Sequence, residues 1–296
     1  MKKKITIAID AMGGEDAPKK NIEGLNIFLN KNKTNNDFII HLYGNKIILN
    51  KELSRLGISD NLVKVIHSDS VVSDEETPLT AIKNSKNTSM WNSINAQIDG
   101  DADISLSAGN TGVLFVISKM ILKMMNKVSR PALAGLWPSK KGMSVVLDLG
   151  ANIECSDKNL IDFAIMGSSL FKSLYPDEKS KVALLNIGSE ELKGNEVIRE
   201  TYQKLNQIEN EEFEFKGFIE GNHIMDGDVN VVVADGFTGN VALKTAEGTA
   251  NFITNELKES MKGSILGRLG SIISINSLKK FKKKLDPRLY NGAILL

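Results

Sequence analysis

Cysteine is nearly absent from this 296-residue chain, with Cys155 standing alone. That excludes an intramolecular disulfide and a zinc site built on several thiolates, and it suits a reducing cytoplasm. Histidine is almost as scarce. His41, His67 and His223 sit in no metal-ligand spacing, so neither a metal nor a histidine-centred triad is expected. No sign of charge prevails: 37 basic residues face 36 acidic ones, and a net +1 supplies no overall field for nucleic acid. Long apolar runs are missing as well. The run behind Lys2, Lys3 and Lys4 stops at Asp10, too short for a signal segment. Lys119 and Lys123 interrupt the stretch 108–125, which therefore reads as a buried helix and not as a membrane span. The chain also lacks a Walker A sequence, a Gly-x-Ser-x-Gly elbow, and a Gly-x-Gly-x-x-Gly after its first strand. Nucleotide cofactors gain no support from it, and no cofactor is expected.

What is present is the composition of an ordinary globular protein, 42% hydrophobic and 25% charged. Short β-branched runs predict strands over 5–9, 38–43, 62–66, 104–106, 144–147, 182–186 and 229–233. Most are apolar throughout, as strands covered on both faces must be. Helical patterns fill the intervals at 18–30, 46–56, 78–98, 111–125, 159–174, 190–205 and 238–259. Such alternation argues a doubly wound, mostly parallel α/β sheet, taken as one domain over 1–296.

Charge is unevenly spread. Residues 257–285 hold eight Lys or Arg against Glu259, a local +7 that leaves about −6 on the rest. Leu257, Met261, Ile265, Leu269, Ile272 and Ile273 recur at helical spacing, and Leu278, Phe281 and Leu285 repeat the pattern beside Lys279, Lys280, Lys282 and Lys283. Two readings stand: a stripe packed on its own protein or a sister subunit, or a basic amphipathic segment docking on an anionic membrane or an acidic partner.

Five strands lead into turns of one composition: glycine, a small hydroxyl or amide, and often an acid. They are Asp10-Ala-Met-Gly13-Gly14, Ser107-Ala-Gly-Asn110-Thr111-Gly112, Asp148-Leu-Gly-Ala-Asn152, Ile187 to Asn195, and Asp235-Gly-Phe-Thr238-Gly-Asn240. In a parallel sheet they all fall on the carboxyl edge, where ligands bind. Several open straight into helices, whose unpaired N–H groups favour an anion. Ordinary N-capping accounts for any one of them, whereas five on one edge argue a site for an anion beside an electrophile. Lys193, placed in the first turn of a predicted helix, reads either as a solvated surface lysine or, since it opposes the helix dipole there, as a functional one. Asn110 and Asn240 can cap or donate to an oxyanion; Asp10, Asp148 and Asp235 can bind a ligand or brace loops. Cys155 reads as a small buried residue sooner than as a nucleophile.

Taken in order, these turns, together with Asp16-Ala-Pro18, Arg130-Pro131, Asn186-Ile-Gly188, Glu190-Glu-Leu-Lys193-Gly194 and Gly217-Phe-Ile-Glu-Gly221, resemble the bacterial phosphate acyltransferases of the PlsX type. The resemblance covers nearly the whole chain. It implies transfer of a fatty acyl group from an acyl carrier protein thioester to inorganic phosphate, giving acyl phosphate for phospholipid synthesis. It also implies a Rossmann-like fold of the isopropylmalate dehydrogenase-like type, a homodimer, and a cytoplasmic protein in peripheral contact with the membrane. There a glycerol-3-phosphate acyltransferase takes the product. Two departures are visible: Ala81-Ile82-Lys83 stands where family members often carry arginine, and the chain ends at Leu296, before a segment with Lys-x-His-Gly.

On this reading Lys193 and Asn240 are the main polar contacts to phosphate or oxyanion. Asn110 and Thr111 help, and Asp10, Gly13, Gly14, Asp148, Asn152, Asp235 and Thr238 line the substrate site. Ile265, Leu269, Ile272 and the four lysines 279, 280, 282 and 283 form the dock for membrane or carrier. An acyl-coenzyme A donor, or a non-catalytic anion-binding or membrane adaptor, are the rivals.

Overall fold

Residues whose side chains alternate between two apolar environments build both sheets of the computed structural model, which describes residues 4–33, 37–59, 61–73, 75–208, 212–285 and 292–296. The chain divides into two compact units, Met1–Met125 and Asn126–Leu295, with Leu296 grouped with the first.

The first unit runs β1 (Ile5–Asp10), α1 (Lys19–Lys31), β2 (Phe38–Gly44), α2 (Lys46–Arg55), β3 (Val63–His67), α3 (Pro78–Asn84), α4 (Ser89–Ile98), β4 (Ile104–Ser107) and α5 (Thr111–Leu122). Its sheet is ordered β3-β2-β1-β4 and every pairing is parallel. Ile40 and Leu42 face Ile22 and Leu25 of α1 and Leu49 and Leu53 of α2. The alternate residues Ala8 and Tyr43 pack with Ala96 of α4 instead, so period 2 in the strands covers both faces. The chain steps outward from β1 to β3 and returns to β4 on the other side of β1. The carboxyl ends of β1 and β4 therefore meet at a topological switch point, where α/β sheets bind ligands.

The helix predicted over 78–98 is two helices. Asn87 takes a left-handed φ of 65° and Thr88 caps α4, its hydroxyl accepting from Trp91 N at 3.2 Å. A second initiation signal inside the apolar pattern breaks it. In α5, Val113, Ile117 and Ser118 are buried, whereas Met120 is exposed.

The second unit runs β5 (Ala132–Pro138), β6 (Met143–Leu147), α6 (Asp157–Leu174), β7 (Ser180–Asn186), α7 (Glu196–Gln207), β8 (Phe213–Glu220), a 3-10 helix (Gly221–Asp226), β9 (Val231–Val233), α8 (Gly236–Lys262), α9 (Ile265–Ile273), α10 (Ile275–Leu285) and β10 (Gly292–Leu295). Sheet order is β10-β5-β6-β9-β7-β8, parallel from β6 onward and antiparallel at β5 and β10. Val145, Leu147, Val182, Leu184, Val231 and Val233 face Phe163 and Phe171 of α6 and Ile198 of α7. Their alternates Val146, Ala183, Leu185 and Val232 face Trp137, Ile224 and, on α8, Ala242, Leu243 and Ala246. Fully burying one such side chain contributes roughly 1.5–3 kcal/mol.

Two expectations change. The sheet expected to carry all five turns on one edge is two sheets. The turns after β1 and β4 belong to the first, and those after β6, β7 and β9 to the second. Strands β5, β8 and β10 were also unforeseen, since Gly135 and Pro138 interrupt the first and Glu214, Lys216 and Gly217 the second.

Candidate active site

In the first unit the end of β1 is locked to the end of β4. Asp10 is buried. Its carboxylate accepts from Ser107 Oγ at 2.7 Å and from Met12 N at 3.3 Å, while Gly109 N donates to Ser107 Oγ at 3.1 Å. The two turns approach so closely that a Cβ on Gly13 would overlap the Asp10 carboxylate, and one on Gly14, at φ 95°, would lie 2.6 Å from Ala108 O. These glycines are therefore required by backbone packing. Asn110 caps α5 by accepting from Val113 N at 3.2 Å, and its amide donates to Glu76 O at 3.1 Å. Thr111 and Gly112 follow, exposed at the positive end of the helix. Asp10 thus braces its loop, and Asn110 and Thr111 keep an edge that favours an anion.

In the second unit Asp148, fully buried at the end of β6, accepts four N–H bonds. They come from Leu133 N (2.9 Å), Ala151 N (3.1 Å), Asn152 N (2.7 Å) and Asn152 Nδ2 (2.8 Å). Asn152 Nδ2 also reaches Pro131 O at 2.7 Å, and Asn152 O receives Gly236 N, also at 2.7 Å. Each carboxylate oxygen is engaged inside the protein, which makes Asp148 and Asn152 the frame of the loop. Beyond β9, Asp235 caps α8, accepting from Thr238 N at 2.8 Å and Thr238 Oγ1 at 2.9 Å. Asn240 stands on the exposed side of that first turn. A Cβ on Gly150, φ 128°, would lie 3.4 Å from the Asn240 side chain, so the loop after β6 and the start of α8 are in close contact.

Lys193 lies in the loop after β7, next to β9 in the sheet, and is exposed. The helix predicted from residue 190 begins at Glu196, because Asn195 is its cap and accepts from Ile198 N at 2.9 Å. Lys193 is therefore no first-turn lysine set against a dipole. It belongs to a tight turn in which its N donates to Glu190 O at 2.9 Å, and it makes no ion pair among the described residues. An exposed ammonium with no acidic partner is able to receive a substrate anion.

The second unit thus places the Lys193 loop and the Asn240 turn after adjacent strands of one sheet. Cys155 is half-buried, and its thiol is pushed up to about 11, first by burial and then by the Asp148 charge, so a thiolate nucleophile is disfavoured there. No group of three or more His, Cys, Asp or Glu side chains among the described residues could hold a metal ion. Residue order names Asn186 and Arg130 only as parts of motifs, and their roles emerge from contacts, Arg130 Nη1 donating to Glu154 O at 2.6 Å.

Residues 257–285 form the end of α8 with α9 and α10. Ile265, Leu269, Ile272 and Ile273 are all exposed, the last at 85%, so the described residues leave this stripe uncovered. No helix among the described residues is long and apolar enough to cross a membrane.

The fold is similar to that of EutD phosphotransacetylase from Staphylococcus aureus, with a TM-score of 0.59 at 15% identity over 84% of this chain and 83% of that one. A phosphotransacetylase from Streptococcus pyogenes is equally similar, TM-score 0.59 over 83% and 82%. In sequence, the phosphate acyltransferase of Pelagibacter ubique is 60% identical over all of this chain and 87% of its own length. That of Maricaulis maris is 39% identical over 98% of this chain and 83% of its own length. Residues 5–296 match the family model described as fatty acid synthesis protein, and the chain belongs to this phosphate acyltransferase family, with a Rossmann-like α/β fold and acyl transfer to phosphate as its chemistry.

Proposed function

We propose that the chain transfers a fatty acyl group from an acyl carrier protein thioester to inorganic phosphate, releasing acyl phosphate for phospholipid synthesis. The observation that carries this reading is the pairing, after adjacent strands, of the exposed Lys193 loop with the exposed Asn240 turn. Phosphate is substantially a dianion near neutral pH, so it needs placement more than deprotonation, which suits a site built without histidine. A phosphate oxygen attacks the thioester carbonyl carbon, and charge builds on the carbonyl oxygen. The intermediate collapses by breaking the C–S bond, releasing the carrier thiolate, which takes up a proton. Lys193 and Asn240 donate to phosphate or to that oxyanion. Donors aimed at developing charge typically contribute several kcal/mol. No covalent enzyme intermediate is needed.

The reading extends to partners: the carrier protein, a second copy of the chain, and an anionic membrane where a glycerol-3-phosphate acyltransferase takes the product. It places the protein in the cytoplasm, at the membrane surface. The uncovered apolar stripe of α9 and the lysines of α10 support the membrane or carrier contact. Incubation with acyl carrier thioester and phosphate, followed by trapping with hydroxylamine, tests the reaction. Acyl hydroxamate that depends on phosphate and on the carrier-bound donor is expected. Transfer from acyl-coenzyme A alone would replace the donor, and none from either would leave an adaptor.

A further inference from the structure

The loop that carries Lys193 is tied at its base by one side chain. Asn186, the half-buried last residue of β7, donates through Nδ2 to Gly188 O at 3.1 Å and to Lys193 O at 3.2 Å. Both partners are carbonyl oxygens, so this end of the side chain must be the donor. Its Oδ1 lies 2.5 Å from where a Cβ on Gly194 would stand, and Gly194 holds a φ of 90°. The space over Gly188 is shared by Glu190, whose Oε2 lies 2.8 Å from a Cβ built there, and by the Lys193 stem, with Cγ at 3.2 Å and Cδ at 3.6 Å. The main chain at 188 and 193 is thus held by one amide, while Lys193 itself stays exposed.

We propose that Asn186 is a positioning residue that acts through Lys193, fixing the main chain at 188 and 193 so that the ammonium is aimed at the reacting group. The proposal rests on the reading of Lys193 as a contact to phosphate or oxyanion. Small displacements of such a group are expensive in rate, because the geometry must be in place before charge develops.

The test measures acyl transfer at varied phosphate and varied donor for Asn186→Leu, Lys193→Ala and the double variant, with Tm recorded for each. Leucine keeps the branched shape without donor or charge. The expected result for Asn186→Leu is a loss of tenfold or more in kcat/KM for phosphate, with the same split between kcat and KM as Lys193→Ala. In the Lys193→Ala background it should cost less than about twofold. A loss of equal size in both backgrounds, or a wild-type rate in Asn186→Leu alongside a damaged Lys193→Ala, would overturn the proposal. A near-normal Lys193→Ala would overturn the reading of the site and the proposal with it, and that single variant tells the two failures apart. Should Asn186→Leu lower Tm sharply, Asn186→Ala serves in its place, measured in the same two backgrounds; a cost that persists without Lys193 overturns the proposal.

Discussion

Asn152 turns one side-chain amide onto both the Asp148 carboxylate, at 2.8 Å, and the Pro131 carbonyl, at 2.7 Å, closing a buried loop on which α8 begins. The first turn of α8 lies so close that a Cβ on Gly239 would overlap the Asp148 carbonyl oxygen. Gly239→Ala is therefore expected to destabilise the protein by about 2–3 kcal/mol, through forced displacement of the helix start. Asp148→Ala should cost at least about 3 kcal/mol, since it leaves four N–H donors without their acceptor. Urea unfolding checks both, and midpoints within error of wild type would remove Asp148 from its framing role.

Lys193→Ala and Asn240→Ala are each expected to lower acyl transfer about a hundredfold or more, as for loss of a donor to a developing oxyanion. Because both side chains are exposed, their Tm should stay near that of wild type. Hydroxamate formation from purified variants measures this, and near-normal turnover in both would place the chemistry elsewhere.

Activity should survive chelators. The carboxylates at the strand ends are already engaged: Asp10 by Ser107 and Met12, Asp148 by four N–H groups, and Asp235 by Thr238. Loss of transfer with a chelator, restored by a divalent ion, would show that these oxygens exchange their present partners for a metal.

Much of this was readable from residue order. The central residues of β6, β7 and β9 (145–147, 182–185 and 231–233) are all apolar because both faces are buried, and that pattern needs no neighbour to interpret. β8 escaped notice because the alternation of Phe213 and Phe215 with Glu214 and Lys216 breaks at Gly217, where the register with β7 shifts before Phe218. Lys193 was singled out for the wrong reason, a helix start that Asn195 moves downstream. Asn186 was invisible as a clamp, since a strand-end asparagine reads the same whatever carbonyls its amide meets. Nor could residue order separate bracing from binding at Asp10 and Asp148, a distinction made only by where each carboxylate oxygen finds its donors.

Residues 257–285 are expected to dock on an anionic surface. Their net +7, against about −6 over the rest of the chain, makes them its strongly basic region. The structure leaves Ile265, Leu269, Ile272 and Ile273 uncovered beside those charges. A purely electrostatic contact fades as salt shortens the Debye length, to about 3 Å at 1 M, whereas inserted apolar side chains leave a residue of binding that salt does not remove. Partial retention on vesicles containing anionic phospholipid at high salt is the expected signature. The variant Ile272→Glu combined with Lys279→Glu, Lys280→Glu, Lys282→Glu and Lys283→Glu should abolish vesicle binding and leave transfer to phosphate intact if the segment serves only the membrane. If it holds the acidic carrier, the same variant should raise KM for the carrier-bound donor at unchanged KM for phosphate. A third occupant, a sister copy of α9 and α10, would instead show as a loss of dimer by sedimentation, with vesicle binding and carrier kinetics both unmoved. That outcome would overturn docking on either anionic surface, because the same five substitutions reverse the charge that both surfaces require.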